Sequence, residues 1–228
     1  MRTIITRKSA ASLAATAVLA VSLAACSQDT GTEAQAGNQQ QSSQQEQAAP
    51  KAVASIPALT GEDTAVALDK GFTDALTQLE LTPGVVGSAK LTDGSLVFPI
   101  TGGNVTVFEP GAVDPYVIGQ VQHEGSGFSL TAGDTTVEIT NLNVDPGVSK
   151  VYGDVAVNGE VAASSVPVFN LDGRTLNPLE TQGNQAILEG TKVQISEVAA
   201  PLLNDVFKTD AVKPGLLVGT ATITVDVK

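Results

Sequence analysis

The chain is short of the residues from which metal and redox chemistry is built: its 228 residues include one Cys, one His, one Met and no Trp. A single thiol excludes an internal disulfide, a thiol–disulfide redox pair and the multi-cysteine ligand sets of zinc and iron–sulfur sites. A lone imidazole excludes a multi-histidine metal centre. Positive charge is scarce too. Twelve Lys and Arg stand against 24 Asp and Glu, a formal charge of −12, so nucleic-acid phosphates and anionic lipid headgroups repel the chain. With only 2 Tyr and 6 Phe, few aromatic platforms are on offer for a carbohydrate. Catalytic motifs are also missing. No G-x-S-x-G or S-x-x-K pattern occurs, no P-loop lysine follows a glycine cluster, and no EF-hand spacing is found among the carboxylates.

What is present begins with a three-part N-terminus: Arg2, Arg7 and Lys8, then an apolar stretch over residues 10–20, then Leu23-Ala24-Ala25-Cys26. The apolar run is too short for a membrane span and has the layout of a secretory signal peptide. Its closing tetrapeptide resembles the lipobox of bacterial lipoproteins. That resemblance implies cleavage before Cys26, a diacylglycerol on its sulfur and acylation of the new amino group. The protein is then expected to face outside the cytoplasm on a cell membrane, with the lipid bilayer as its partner and no nucleic acid. Removing residues 1–25 takes away three bases and no acid, which shifts the formal charge from −12 to −15. Acyl chains, not surface charge, must then supply the membrane contact.

Residues 26–55 form the next expected segment, the lipidated Cys26 followed by a tether. Of residues 27–50, 8 are Gln and none is Val, Ile, Leu or aromatic, so ordering them would bury nothing in return. Residues 56–228, rich in Val, Thr and Gly, are expected to form one domain. Asp69 caps a helix carrying Phe72, Leu76 and Leu79 on one face and ending at Thr82-Pro83-Gly84. The hydrophobic period then changes from 3.6 to 2. Short strands are expected over 96–100 and 105–108 as one hairpin, over 117–122 and 128–131 as a second around Gly125-Ser126-Gly127, and over 135–142 with Val137, Ile139 and Asn141 on one face. Further strands follow over 151–157 and 166–171, with Asn158-Gly159 as the strongest hairpin turn. A third hairpin is expected from 186–188 and 193–195 around Glu189-Gly190. A second helix is expected over 196–207, starting at Ser196 or at Pro201, with Val198, Leu202 and Val206 on its inner face. An amphipathic strand over 215–227 closes the chain. The expected fold is mainly β, an antiparallel sandwich or open barrel with one or two flanking short helices.

Three side chains are candidates for ligand binding: Tyr116 and Tyr152 at strand beginnings and His123 at a strand end. Tyrosine and histidine both serve as haem ligands, although an amphipathic tyrosine at a sheet rim and a solvated or turn-stabilising histidine are the commoner uses. Residues 119–130 (GQVQHEGSGFSL), 137–142 (VEITNL), 153–155 (GDV) and 166–172 (VPVFNLD) together resemble the central pattern of HtaA-type domains. Those are secreted or surface-anchored bacterial β domains that bind haem. The resemblance spans residues 72–172 and implies a β scaffold with haem as the possible ligand. In that family the ligating tyrosine comes from an early segment with Trp and a Ser-Phe-x-x-Tyr pattern. Lys70-Gly71-Phe72-Thr73-Asp74-Ala75-Leu76 has neither Trp nor Tyr. As a whole, the chain resembles lipoproteins of high-GC Gram-positive bacteria.

The expected function is a non-enzymatic, membrane-anchored binding or envelope-organising module with an unidentified protein or small-molecule partner and no resident cofactor. Haem or metal capture is the alternative, and a carboxylate-based envelope hydrolase is the least supported. The anchor has its own test in fractionation and mass analysis of processed protein. Cys26→Ala is expected to release the protein to the medium or leave it unprocessed, and normal processing with unchanged membrane retention would remove the lipid anchor.

Overall fold

The computed structural model describes residues 50–227; the signal segment, Cys26 and most of the Gln-rich tether lie outside the described residues. Thirteen strands form one sheet, mainly by antiparallel pairing, with two helices. In chain order these are β1 (Ala52–Ile56), β2 (Asp63–Leu68), α1 (Lys70–Gln78), β3 (Thr82–Gly87), β4 (Lys90–Thr92), β5 (Ser95–Pro99), β6 (Gly102–Phe108), β7 (Val117–Ala132), β8 (Thr135–Asp145), β9 (Lys150–Val157), β10 (Glu160–Asp172), β11 (Glu180–Gln182), β12 (Gln185–Ile195), α2 (Ala199–Phe207) and β13 (Leu217–Asp226). The sheet runs β1-β6-β7-β8-β9-β10-β12-β13-β2-β5-β4, with β3 added on β7 and β11 on β12. It is open, and its inner face carries the core, in which Val121, Val137, Val155 and Val168 are fully buried. The expected sandwich or open barrel with flanking helices agrees with this architecture.

Three expected hairpins are not hairpins. Residues 117–132 form one continuous strand, because β8 pairs with β7 on both sides of the glycine-rich stretch. His123 stands opposite Leu142 and Gly127 opposite Thr140, so three residues of β7 face one of β8. The side-chain phase of β7 changes across this irregularity: Val121 and His123 point inward before the bulge, and Ser126, Phe128 and Leu130 after it. Asn141, expected on the inner face of β8, is the partner of this bulge. It is exposed at φ 54° and accepts a hydrogen bond from Gly125 N at 3.0 Å, while Leu142 takes the buried place. β12 is likewise one strand, with its irregularity between Glu189 and Thr191. β5 and β6 follow each other but do not pair, since β5 joins β2 and β4 while β6 joins β1 and β7.

Local signals fared better. Asp69 accepts from Gly71 N at 2.7 Å and caps α1, which buries Phe72 and Leu76. The helix ends before the expected Thr82-Pro83-Gly84, which instead starts β3. Pro83 is tolerated there because β3 is bonded on one side only. Asn158-Gly159 turns the chain with φ of 51° and 83°, the left-handed pair that a two-residue hairpin needs. α2 starts at Ala199 with Pro201 in its first turn, and the hydroxyl of Ser196 accepts from Val198 N and Ala199 N. Its buried residues are Ala199, Ala200 and Leu203; Val198, expected inside, is 42% exposed. Residues 52–55, assigned to the tether by composition, already belong to β1.

The bulge gives this fold a test. A Cβ on Gly127 would collide with Ile139 O and with Cα of Thr140, whereas Gly133 has nothing nearby. Gly127→Ala is expected to lower stability by about 3 kcal/mol, and Gly133→Ala by about 1 kcal/mol through its left-handed φ alone, both read by chemical denaturation. Equal losses would mean that β7 and β8 do not meet at Gly127 as described.

Candidate functional site

The inner face of the sheet encloses a cavity of about 440 Å³. Strand alternation aims Val66, Phe98, Phe128, Val144, Val151 and Phe169 into it, and α1 adds Phe72. Four of the chain's six phenylalanines therefore meet in one wall. The mouth is made by the links between strands: Asp114 and Tyr116 before β7, Ser149 before β9, and Gly173 and Arg174 after β10. A smaller cavity of about 160 Å³ lies between the sheet and the helices and shares Phe72, Phe128 and Phe169 with the larger one.

His123 lies in this wall and is 1% exposed. Its Nδ1 is 3.1 Å from Leu142 O and its Nε2 is 2.8 Å from Thr64 Oγ1. A carbonyl can only accept, so Nδ1 carries the proton and Nε2 accepts from the Thr64 hydroxyl. Burial pushes the imidazole pKa down to about 4, against a smaller opposing effect of the Leu142 carbonyl, so the ring is neutral at physiological pH. Phe98 meets it edge-on with ring centroids 6.2 Å apart, and Ser126 Oγ donates to His123 O at 3.1 Å, holding the bulge beneath it. Nε2 is thus a lone pair at the cavity wall under a hydroxyl lid.

Tyr116 is half-buried in the same cavity lining. Burial raises its phenol pKa. Tyr152 is elsewhere: its neighbour Val151 points into the cavity, and successive side chains of a strand face opposite sides. Of the three sequence candidates the fold brings Tyr116 and His123 together and excludes Tyr152. Sequence reasoning missed Thr64, the phenylalanine wall and Arg174. The phenylalanines were visible as residues, but no local pattern shows that four separated elements converge.

The backbone is similar to the C-terminal domain of HtaA from Corynebacterium glutamicum, at 13% identity over 74% of this chain and 98% of that one, with a TM-score of 0.52. The N-terminal domain of HtaA (10% identity, 75% and 98% covered, TM-score 0.46) and the haem-binding protein HtaB (9%, 76% and 96%, 0.44), both from C. glutamicum, are more distant. No family model matches the chain, and no curated protein matches its sequence. At these identities the likeness concerns the fold and assigns no residue its role.

The buried imidazole makes stability depend on pH. Its folded pKa of about 4 lies below the unfolded value of about 6.5, so the unfolded chain binds the extra proton between them. Stability from this group is complete above about pH 6.5 and falls as pH drops toward 4, by about 3 kcal/mol. Denaturation curves at pH 7 and 4.5 should show the loss in the wild type and a flatter profile in His123→Gln. Parallel profiles would place the titration elsewhere.

Proposed function

We propose that this domain captures haem in the cavity above β7, held at the outer face of a cell membrane by acyl chains on Cys26. The observation that carries the reading is the single cavity shared by Tyr116, His123 and four phenylalanines. Its volume of about 440 Å³ falls within the roughly 300–1,000 Å³ of small-molecule sites, and an apolar lining with a few convergent polar groups is their usual make-up. Aromatic walls suit a flat macrocycle. The fold shared with the HtaA C-terminal domain agrees with the family resemblance in the sequence. These features favour small-molecule capture over the envelope-organising module expected from composition.

The residues present fit the group. Bound haem would supply a ferric centre, and Tyr116 and His123 are of the residue types that would hold it. Tyr116 offers a phenol at the mouth, outside α1, where the resembled family has its tyrosine. His123 offers Nε2, with its other nitrogen donating to a backbone carbonyl as metal-bound imidazoles commonly do; Thr64 would have to turn its hydroxyl aside.

Hemin titration of the domain tests this. The wild type should shift the Soret band at micromolar hemin, Tyr152→Phe should match it, and Tyr116→Phe or His123→Ala should weaken binding by about tenfold or more. The reading falls if the wild type gives no shift, or if the Tyr116→Phe/His123→Ala double variant binds like the wild type.

A further inference from the structure

Arg174 is the only arginine among the described residues, and it stands at the cavity mouth. The chain holds it there deliberately close to a carboxylate. Asp172, at the end of β10, accepts from Arg174 N at 3.1 Å and so forms the turn that carries the arginine. The same carboxylate then grips the guanidinium in two-pronged fashion, with Nε at 2.9 Å from Oδ1 and Nη2 at 2.8 Å from Oδ2. The side chain of Asp172 is 16% exposed and that of Arg174 is 90% exposed. The carboxylate is thus the anchored member of the pair and the guanidinium the presented one.

A guanidinium has five N–H donors. Asp172 takes two, leaving both on Nη1 and one on Nη2, in a plane already fixed. Lys192 stands opposite Asp172 in the β10–β12 register, so this corner sets two cations against one carboxylate in a chain whose acids outnumber its bases two to one. Elsewhere on the mouth Asp114 repels anions. An apolar neutral ligand gains nothing from an oriented guanidinium, and a cationic one is repelled. A second carboxylate matches it in shape and charge.

We infer that Arg174, oriented by Asp172, recognises a carboxylate on the outward edge of the ligand, and that the cavity selects an apolar body bearing at least one such group. This rests on the capture reading in requiring an occupied cavity, but not on the occupant being haem. The test compares hemin with hemin dimethyl ester on the wild type, Arg174→Gln and, as an exposed-charge control, Lys213→Gln. The wild type and the control should prefer the acid by about tenfold. Arg174→Gln should lose most of that preference and keep its affinity for the ester. Acid preference retained in Arg174→Gln overturns the inference and leaves haem capture standing. If the wild type binds neither hemin form, haem capture falls, and the comparison is made with cis-parinaric acid and its methyl ester. A preference lost in Arg174→Gln then supports the inference, and equal binding of acid and ester, or none, overturns it.

Discussion

The hydrogen bond from Thr64 to His123 crosses the inside of the sheet. Five strands separate β2 from β7 along the sheet order, while on the other side the link between β5 and β6 joins them, with Ile100 N donating to Glu62 O at 3.0 Å and Thr101 N to Gln122 O at 2.8 Å. The 2.8 Å contact between Nε2 and the hydroxyl ties the same approach through side chains, and the Leu142 carbonyl fixes the ring that makes it. Taking away one partner would strand a buried polar group at about 1–3 kcal/mol. A cavity needs walls that do not close on each other, and apolar packing alone favours closure. A directional bond with a fixed length, placed where the two flanks of the curved sheet approach, sets their spacing at that point. With the imidazole kept neutral by burial, Nε2 is the acceptor in this bond and the Thr64 hydroxyl the donor.

The bulges are the second constraint, and they explain why composition misled about the strands. In β7, β8 and β12 the inward side chains change parity partway: Val121 and His123 give way to Phe128 and Leu130, Val137 and Ile139 to Leu142 and Val144, Ala186 and Leu188 to Val193 and Ile195. In a linear reading, a phase change beside glycine looks like a chain reversal. The residues that permit a bulge are those that permit a hairpin, and only the partner strand distinguishes them. β8 pairs on both sides of the β7 bulge, so the chain runs on. The result is strands long enough to curve around an interior, with the change of phase bringing both His123 and Phe128 to the cavity.

What was legible in the sequence was therefore local. The Asp69 cap and the Asn158-Gly159 turn are complete within a few residues, and each stands where expected. The mainly antiparallel β class followed from the period of 2. Strand order was not legible, because the pairing of β2 with β13 joins segments from opposite ends of the domain. The site was half legible. Tyr116 and His123 could be named as chemically able residues, but Tyr152 was equally able and faces the other way for one reason, its odd spacing from Val151. Thr64 is 59 positions from the histidine it bonds, beyond any motif.

The scarcities of the sequence acquire a location in the fold. Six phenylalanines are few for a chain of this length, yet four line one cavity, and the only arginine of the described residues stands at its mouth. This arrangement would by itself orient a ligand in the cavity. The deep wall is apolar and contains a histidine kept neutral, so a charge carried inward would lose its hydration with no countercharge to replace it. The charged groups lie at the rim, where Arg174 is open to water and Asp114 guards another part of the lip. An amphiphilic molecule would therefore enter with its apolar edge first and keep its anionic edge outward. That orientation would bring the apolar body against the phenylalanine wall and the Thr64–His123 pair, where Thr64 would have to release Nε2 before the imidazole could serve as a ligand.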